Sequence, residues 1–475
     1  MEPLFYDLVV IGGGPAGTCG ANTAALFGRR VALIEKEAQI GGAGINSGTI
    51  PSKTLRETAL ALSGWRSRKL FGVGLSMRRE ATVGDFMRHS EAVAAGERHR
   101  VESNMRTLHI DRMHGAASFI DPHTVRVVTR YGTETVLRGE HILIATGSTP
   151  FRPPEFPFDD DRVHDSDELL KLKALPRRLA VVGAGVIGSE YACTFNAIGV
   201  EVDLVDGRET LLPCLDAEIS TALTQAMISS GIRFRWKERV THCDVSKPGG
   251  LVLIFSSGTT LACDEVLVCA GRSSNTGDLN LSAAGITPKK RGVISVDAQY
   301  RTAVPHILAA GDVIGAPALA ATSMEQARFA VCHALGVTAK AEPAPLLPVG
   351  IYTIPETSMV GETEEALKES GVPYVVGRAR YMDNPRGRIL GDSSGILKLI
   401  FRREDMRLLG VHVLGEHATE LIHIGLMAML SQSGADLFNR ACFNYPTLGD
   451  LYKFAAYDAI LQSGGFTSLA LPQKQ

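Results

Sequence analysis

No run of apolar residues in this 475-residue chain approaches the roughly 20 needed to cross a bilayer, so no membrane span is expected. Charge of one sign is not in excess either: 49 Lys and Arg face 51 Asp and Glu, a formal net charge of -2. Neither a nucleic acid nor an anionic membrane surface is therefore an expected partner. The eight cysteines, Cys19, Cys193, Cys214, Cys243, Cys263, Cys269, Cys332 and Cys442, are scattered. No two stand at Cys-x-x-Cys spacing, so no zinc or thioredoxin-like site is expected. Apolar surroundings predict that most are buried packing thiols, Cys263 and Cys269 included, which flank a predicted strand over 264–268. His89, His99, His109 and His114 have no carboxylate or cysteine at ligand spacing and read as exposed polar residues, and no metal is expected. A strand beginning at Tyr6 leaves no room for a signal peptide, which predicts a cytoplasmic protein.

What is present is length for about three domains at roughly 150 residues each. Hydrophobic residues make up 45% and charged residues 21%, as in ordinary globular proteins. The 49 glycines exceed an average share by about half. They gather in strand-to-helix turns, which favours nucleotide-binding loops over linkers.

The run Tyr6-Asp-Leu-Val-Val-Ile reads as a buried parallel strand. Gly12-Gly-Gly14-Pro-Ala-Gly17 follows, then a small-residue helix to Ala25 and a strand over 31–34 that ends in Glu35. This is a dinucleotide fingerprint in its strand–turn–helix setting. Gly12 makes the turn, Gly14 admits a pyrophosphate, Gly17 permits close helix packing, and Glu35 accepts from a ribose hydroxyl. A second copy lies downstream. A strand over 179–182 leads into Gly183-Ala-Gly185-Val-Ile-Gly188-Ser-Glu190, and the strand over 200–205 ends in Asp206. Two fingerprints predict one tightly held flavin dinucleotide and one exchangeable nicotinamide dinucleotide. Asp206 suits the 2′-hydroxyl of NAD and repels the 2′-phosphate of NADP. Arg208, two residues on, suits the phosphate. Both NAD(H) and NADP(H) are therefore expected as substrates, and the bland reading of Arg208 as a solvated loop charge stays open.

Residues 41–56, Gly-Gly-Ala-Gly-Ile-Asn-Ser-Gly-Thr-Ile-Pro-Ser-Lys-Thr-Leu-Arg, resemble the flavin-facing segment of the class I flavoprotein pyridine nucleotide-disulfide oxidoreductases. The turn Ala145-Thr146-Gly147 and the run Ile307-Leu-Ala-Ala-Gly311-Asp312 resemble further motifs of that family, and the run Val266-Leu-Val-Cys-Ala-Gly271-Arg reads as the close of the nicotinamide domain. The resemblance implies FAD as cofactor, Lys53 near flavin N5 and paired with Glu190, and Asp312 on a ribityl hydroxyl. It implies a helix from about Ala320 whose positive end faces the flavin. The implied fold is α/β, two Rossmann-like dinucleotide-binding domains (FAD and NAD(P)) plus an α+β C-terminal dimerisation domain. Residues 1–152 and 274–345 would form the FAD domain, 153–273 the NAD(P) domain and 346–475 the interface of a homodimer or higher homo-oligomer. Pro153, Pro154 and Pro157 mark the first linker. The stretch 56–108 reads as helical, and Lys289-Lys290-Arg291 as a solvated turn.

Most family members carry two cysteines, four residues apart, where this chain has Ala43 or its immediate neighbour and Gly48, and its segment 41–56 holds no cysteine. They also carry a His-Pro-Thr-x-x-Glu segment where this chain reads Tyr445-Pro-Thr-Leu-Gly-Asp450. Thiol–disulfide exchange needs a dithiol and a base, and a tyrosine with an ordinary pKa near 10 is a poor neutral-pH base. Hydride transfer between nicotinamide and flavin needs neither group. The pattern is similar to one branch of the family, the soluble (Si-specific) pyridine nucleotide transhydrogenases, which implies ping-pong hydride transfer from NADPH to NAD with Lys53 and Glu190 at the flavin. Two readings remain beside it: an NAD(P)H oxidase or quinone/diaphorase-type reductase, and a non-catalytic flavoprotein. Dihydrolipoamide dehydrogenase activity is disfavoured.

Overall fold

Strands that are apolar on both faces must be covered on both sides to keep them from water, and here helices cover one face of the first sheet while strands around Phe119 and Val125 and the segment 279–294 cover the other. The structure is a computed structural model that describes residues 2–63, 83–172, 174–247, 249–337 and 342–464. Parts of the expected helical stretch 56–108 and of the C-terminal unit 346–475 therefore lie outside the described residues; within the former, helices run Thr49–Leu62 and Val83–Thr107. The first sheet has seven strands. Asp111–His114, Val31–Glu35, Leu4–Ile11 and Glu134–Ile144 lie side by side and parallel, and Ile307–Ala309 adds to Glu134–Ile144 from far along the chain. Thr124–Val128 and Ala116–Asp121 extend it antiparallel.

The turn between Leu4–Ile11 and the helix Pro15–Leu26 shows why glycine is required. Gly12 has φ +107°, and a Cβ there would meet the carbonyl oxygen of Ala145 at 2.3 Å. A Cβ on Gly17 would sit 1.8 Å from the carbonyl oxygen of Gly12. Helix and strand can approach this closely only where side chains are absent. The second fingerprint repeats the geometry: Gly183 has φ +108°, and a Cβ on Gly188 would lie 2.0 Å from the carbonyl oxygen of Gly183. It belongs to a five-stranded parallel sheet, in the order Arg233–Trp236, Glu201–Asp206, Arg178–Val182, Glu265–Val268, Val163–Asp165. A three-stranded antiparallel sheet, Val240–Asp244, Leu251–Phe255 and Thr260–Cys263, covers one side.

The C-terminal unit is α+β. Its five antiparallel strands run Val349–Ile351, Thr357–Gly361, Leu408–Leu414, Ile396–Arg402, Tyr374–Arg380, with the helices Ala418–Leu430 and Leu451–Gln462 packed on them. Its edge is fused to the second nucleotide unit. Ile351, Ile354 and Leu414 share one apolar cluster with Leu60, Phe195 and Leu204. Each such side chain, fully buried, contributes about 1.5–3 kcal/mol.

A charged joint reinforces this seam. The side chain of Lys398 is 1% exposed, and its Nζ lies 2.7 Å from Asp216, 2.5 Å from Glu364 and 3.0 Å from Glu218. Asp216 also caps the helix Ala217–Ser230 by accepting from the Glu218 N–H. Burial alone would lower the Lys398 pKa, but the carboxylates around it outweigh that and raise it.

The expected strand and helix positions appear with ends shifted by a few residues. Cys193, Cys243, Cys263 and Cys332 are buried, Cys19 and Cys269 half-buried, and Cys214 and Cys442 exposed. His89, His99, His109 and His114 are all exposed. Among the described residues no helix is long and apolar enough to cross a membrane, and no His, Cys, Asp and Glu cluster is shaped to hold a metal.

Candidate functional site

Three parts of the chain converge at Lys53. The helix Thr49–Leu62 presents it from the first unit, and the helix Val186–Ala197 presents Glu190 from the second. Lys53 Nζ donates to Glu190 Oε2 at 2.5 Å, so residues 137 apart in sequence are ion-paired. Glu190 is 9% exposed at its side chain, and its other oxygen accepts the Tyr352 N–H at 2.8 Å. Lys53 Nζ also stands 4.9 Å from the centre of the Tyr352 ring, within range of a cation–π attraction. Tyr352 comes from the C-terminal unit, and burial raises the pKa of its phenol. One turn beyond Lys53, the buried Arg56 donates to the Thr353 carbonyl at 3.1 Å and lies 3.2 Å from Glu356. The Lys53 helix is thereby tied at two points to the same loop. Sequence reasoning missed Tyr352, which belongs to no local motif, and the role of Arg56, which closes the quoted segment but finds its partners about 300 residues away.

Ala43 lies on the short helix Gly42–Asn46, and Gly48 is the residue before the helix Thr49–Leu62 that carries Lys53. The Gly48 N–H donates to the Ala43 carbonyl at 2.6 Å. A Cβ built on Gly48 would lie 3.9 Å from the Cβ of Ala43, within the 3.5–4.5 Å that a disulfide spans. The same Cβ would stand 3.0 Å from the Ala43 carbonyl oxygen, so a side chain at 48 needs that carbonyl to give a little.

The first fingerprint forms a shelf without side chains. A Cβ on Gly14 would come no nearer than 3.8 Å to Gly42, and one on Gly42 would meet Gly14 Cα at 2.8 Å. Glu35 Oε2 accepts the Gly13 N–H at 2.8 Å, and Oε1 accepts the Glu37 N–H at 2.9 Å. Two of roughly four lone-pair directions are then taken, which leaves acceptors for ribose hydroxyls. Thr146 Oγ1 is buried with no hydrogen-bond partner in the protein, and Gly147 beside it has φ +67°. A buried hydroxyl is rarely left alone without a ligand to meet it. Asp312 accepts from Ser148 Oγ at 2.7 Å, and Ser148 in turn accepts from Arg272 Nε at 2.7 Å. Gly311 donates its N–H to Gln326 at 2.9 Å, on the helix Ala320–Ala334. Gly271, with φ +94°, donates nothing to this network; its carbonyl accepts the Phe151 N–H at 2.9 Å and closes the crossing between the two units. Asp167, another residue with no sequence signal, has its carboxyl pKa raised by burial despite nearby Arg272.

At the second fingerprint, a Cβ on Gly185 would meet nothing within 4 Å, so the turn opens onto free space. Asp206 Oδ2 accepts the Ala184 N–H at 2.7 Å, as Glu35 does at the first turn. Arg208 does not reach outward. It folds back and clamps Asp206 through Nε at 2.9 Å and Nη2 at 2.7 Å. Burial would raise the Asp206 carboxyl pKa, yet the Arg208 bonds hold it below the ordinary carboxylate value. Tyr445 stands 76% exposed on the C-terminal unit.

A family model of the pyridine nucleotide-disulphide oxidoreductases matches residues 6–327, and one of that family's dimerisation domain matches residues 347–456. The chain is 44% identical over 460 residues to the soluble pyridine nucleotide transhydrogenase of Mycobacterium tuberculosis, covering 96% of this chain and 97% of that protein. It is 40% identical over 459 residues to the protein of the same name from Pseudomonas putida, covering 96% and 98%. Among solved structures, LpdA from Mycobacterium tuberculosis matches with a TM-score of 0.89 at 25% identity over 95% of this chain and 99% of that one. The HOCl-induced flavoprotein disulfide reductase RclA from Escherichia coli matches with a TM-score of 0.84 at 29% identity, over 94% and 99%. On the strength of these matches across nearly its whole length, the chain belongs to the pyridine nucleotide-disulphide oxidoreductase family.

Proposed function

We propose that this protein is an FAD-dependent transhydrogenase that moves hydride between NADPH and NAD by a ping-pong route. The observation that carries the reading is a contrast within one site. The Lys53, Glu190 and Tyr352 assembly is complete, while the segment 41–56, where the resembling enzymes carry their thiols, holds no cysteine, and the C-terminal histidine position holds Tyr445. Relatives at 40–44% identity named for transhydrogenation support the same reading.

In this reading residues 1–152 with 274–345 hold FAD, 153–273 hold the exchangeable nucleotide, and 346–475 join two copies of the chain. Gly12, Gly14 and Gly17 would take the pyrophosphate of FAD, Glu35 its ribose, and Thr146, Gly147, Gly311 and Asp312 its ribityl side. The orphaned hydroxyl of Thr146 and the bare shelf between Gly14 and Gly42 fit that group. FAD, when bound, supplies a two-electron carrier that serves one nucleotide and then the next. Lys53 contributes a positive charge held in one place by Glu190, and Glu190 is itself held by the Tyr352 N–H. Preorganised charge of this kind favours a negative charge that builds up nearby and costs no reorganisation. Gly183, Gly185 and Gly188 bind the nucleotide pyrophosphate, with Asp206 and Arg208 at the adenosine ribose. No side chain has to move a proton.

One site serves both nucleotides in one pose, so hydride leaves and arrives on the same nicotinamide face. We assign this as the si face, in keeping with the branch the sequence resembles. Homo-oligomerisation accords with the dimerisation-domain match and with exposed Met427, Tyr445, Phe454 and Leu461 on the C-terminal unit.

The decisive measurement reduces the FAD-loaded protein with NADPH without oxygen, then adds NAD while flavin absorbance is followed. Bleaching followed by full recovery is expected. Recovery that waits for oxygen or a quinone would replace this reading with an oxidase or reductase. Absence of bleaching would leave a non-catalytic flavoprotein.

A further inference from the structure

The two acidic residues that end the equivalent strands are not in equivalent states. Glu35 accepts two protein hydrogen bonds. Asp206 accepts four: Arg208 N–H at 2.8 Å and Arg208 Nε at 2.9 Å on Oδ1, with Arg208 Nη2 and Ala184 N–H, both at 2.7 Å, on Oδ2. Four is about the capacity of a carboxylate. A ribose 2′-hydroxyl therefore reaches Asp206 only after an Arg208 side-chain bond opens. Whichever nucleotide enters, the Arg208 guanidinium has to give way.

A second arginine waits beside it. The loop after the strand Arg233–Trp236 runs along the 206–208 turn, with the Lys237 N–H donating to the Arg208 carbonyl at 3.1 Å and the Glu238 N–H to the Asp206 carbonyl at 3.2 Å. Arg239, next in that loop, lies across Gly207. A Cβ built on Gly207 would be 3.2 Å from Arg239 Nε, 3.3 Å from its Cγ and 3.6 Å from its Cζ. The absence of a side chain at 207 is what lets Arg239 lie there. The neighbouring charges are engaged: Lys237 pairs with Glu209, and Glu238 accepts from Ser257 and Thr259. Among the described residues, the exposed guanidinium of Arg239 has no hydrogen-bond or ion-pair partner.

We propose that Arg239 and Arg208 together form the seat of a ribose 2′-phosphate, Arg239 as a standing cation and Arg208 as a switch that exchanges Asp206 for the phosphate. When the 2′ position carries a hydroxyl, Arg208 stays near Asp206 and the carboxylate shares its acceptors with the ribose. When it carries a phosphate, Arg208 turns outward, and both guanidinium groups make charge-assisted bonds to the dianion. One site thereby accepts two nucleotides that differ by two charges, with no rearrangement of the backbone. The inference rests on reading the Gly183 turn as the exchangeable nucleotide site.

The test uses the FAD-loaded protein and two fragments that need no turnover, 2′,5′-ADP and 5′-AMP, measured by isothermal titration calorimetry. In Arg239→Ala the ratio of 2′,5′-ADP affinity to 5′-AMP affinity is expected to fall at least tenfold, and Arg239→Lys is expected to restore part of it. Gly207→Ala, which leaves Arg239 in the chain but displaces it, is expected to lower the ratio as well. An unchanged ratio in Arg239→Ala, or equal loss for both fragments, would overturn the proposal. Failure of the unaltered protein to bind either fragment would overturn the nucleotide-site reading beneath it. A protein that shows the expected ratios yet passes no hydride from NADPH to NAD would keep this proposal and lose the transhydrogenase reading.

Discussion

Glu190 uses its two oxygens for different purposes, and that makes its substitutions informative. Oε2 meets Lys53, and Oε1 meets the Tyr352 N–H. Glu190→Gln keeps an acceptor for the N–H but loses the charge. Glu190→Ala loses both and leaves Lys53 without its counter-charge. NADPH-to-NAD hydride transfer is expected to fall about 10²–10³-fold in Glu190→Ala, the size seen when a preorganised electrostatic group is removed. Glu190→Gln should lie between Glu190→Ala and the parent. Stopped-flow flavin reduction would check the order, and equal rates in the two variants would contradict it. The residues 43 and 48 permit a second test. With 3.9 Å between the Cβ positions, the Ala43→Cys, Gly48→Cys double variant is expected to close a disulfide on mild oxidation. Mass spectrometry of the tryptic digest would show it as a loss of two hydrogen atoms, the oxidant taking the two electrons. Persisting free thiols would mean that the backbone here differs from the geometry described.

Among the elements, the joint around Lys398 carries the clearest energetic consequence. Replacing Lys398 with Met leaves the buried Asp216 without its cation, while Glu364 keeps Arg378 and Lys368, and removal of one buried partner costs about 3–5 kcal/mol. A marked drop in melting temperature is expected, with part of it recovered by adding Asp216→Asn. A second element, the strand Leu408–Leu414, buries His412 completely. Burial lowers its pKa from the ordinary 6.5, although Asp216 pulls the other way. The unfolded chain therefore binds a proton at a pH where the folded chain does not, so stability rises with pH in that window. The contribution is present above about pH 6.5 and is lost as pH falls toward the folded value. The carboxylates Asp216, Glu218 and Glu364 all have lowered pKa values in the fold, with ordinary values of 3.8, 4.5 and 4.5. Their contribution is kept down to those values and lost only below them. Melting temperature should therefore begin to decline below about pH 6.5 and fall further below about pH 4.5. His412→Gln should make the upper limb of that curve shallower, His141 keeping a share of it because burial lowers its pKa too, and leave the lower limb.

At the scale of the molecule, two dinucleotide units and a C-terminal sheet meet at one charged pair, so the site exists only where the three are docked. Leu60, Ile351 and Leu204, one from each unit, lie in a single apolar cluster. The exposed apolar side chains of the C-terminal unit, Met427 at 57%, Phe454 at 48% and Leu461 at 69% among them, suit a surface covered by a second copy. Sedimentation is expected at twice the 50.8 kDa chain mass. Introducing Glu at both 427 and 454 should shift the protein toward monomer.

The sequence by itself determined both fingerprints and the absence of cysteine from the segment 41–56, and the pairing of Lys53 with Glu190 followed from the family that this segment resembles. These were legible because glycine spacing, strand-to-helix turns and motif wording are local, and a turn that forbids a Cβ writes itself into the chain as glycine. Tertiary structure alone decided the rest. Tyr352 reaches Glu190 across 162 residues through a backbone N–H, a group every residue but proline carries, so no side-chain identity announces it. Lys398 finds Asp216 across 182 residues, and in sequence each reads as an ordinary surface charge. Asp206 and Arg208 stood only two positions apart and were both noticed, yet their spacing is silent about direction. Whether Arg208 faces Asp206 or solvent, and whether Arg239 lies beside it, depends on how two loops from neighbouring strands stack. That is a property of packing, which local pattern does not encode.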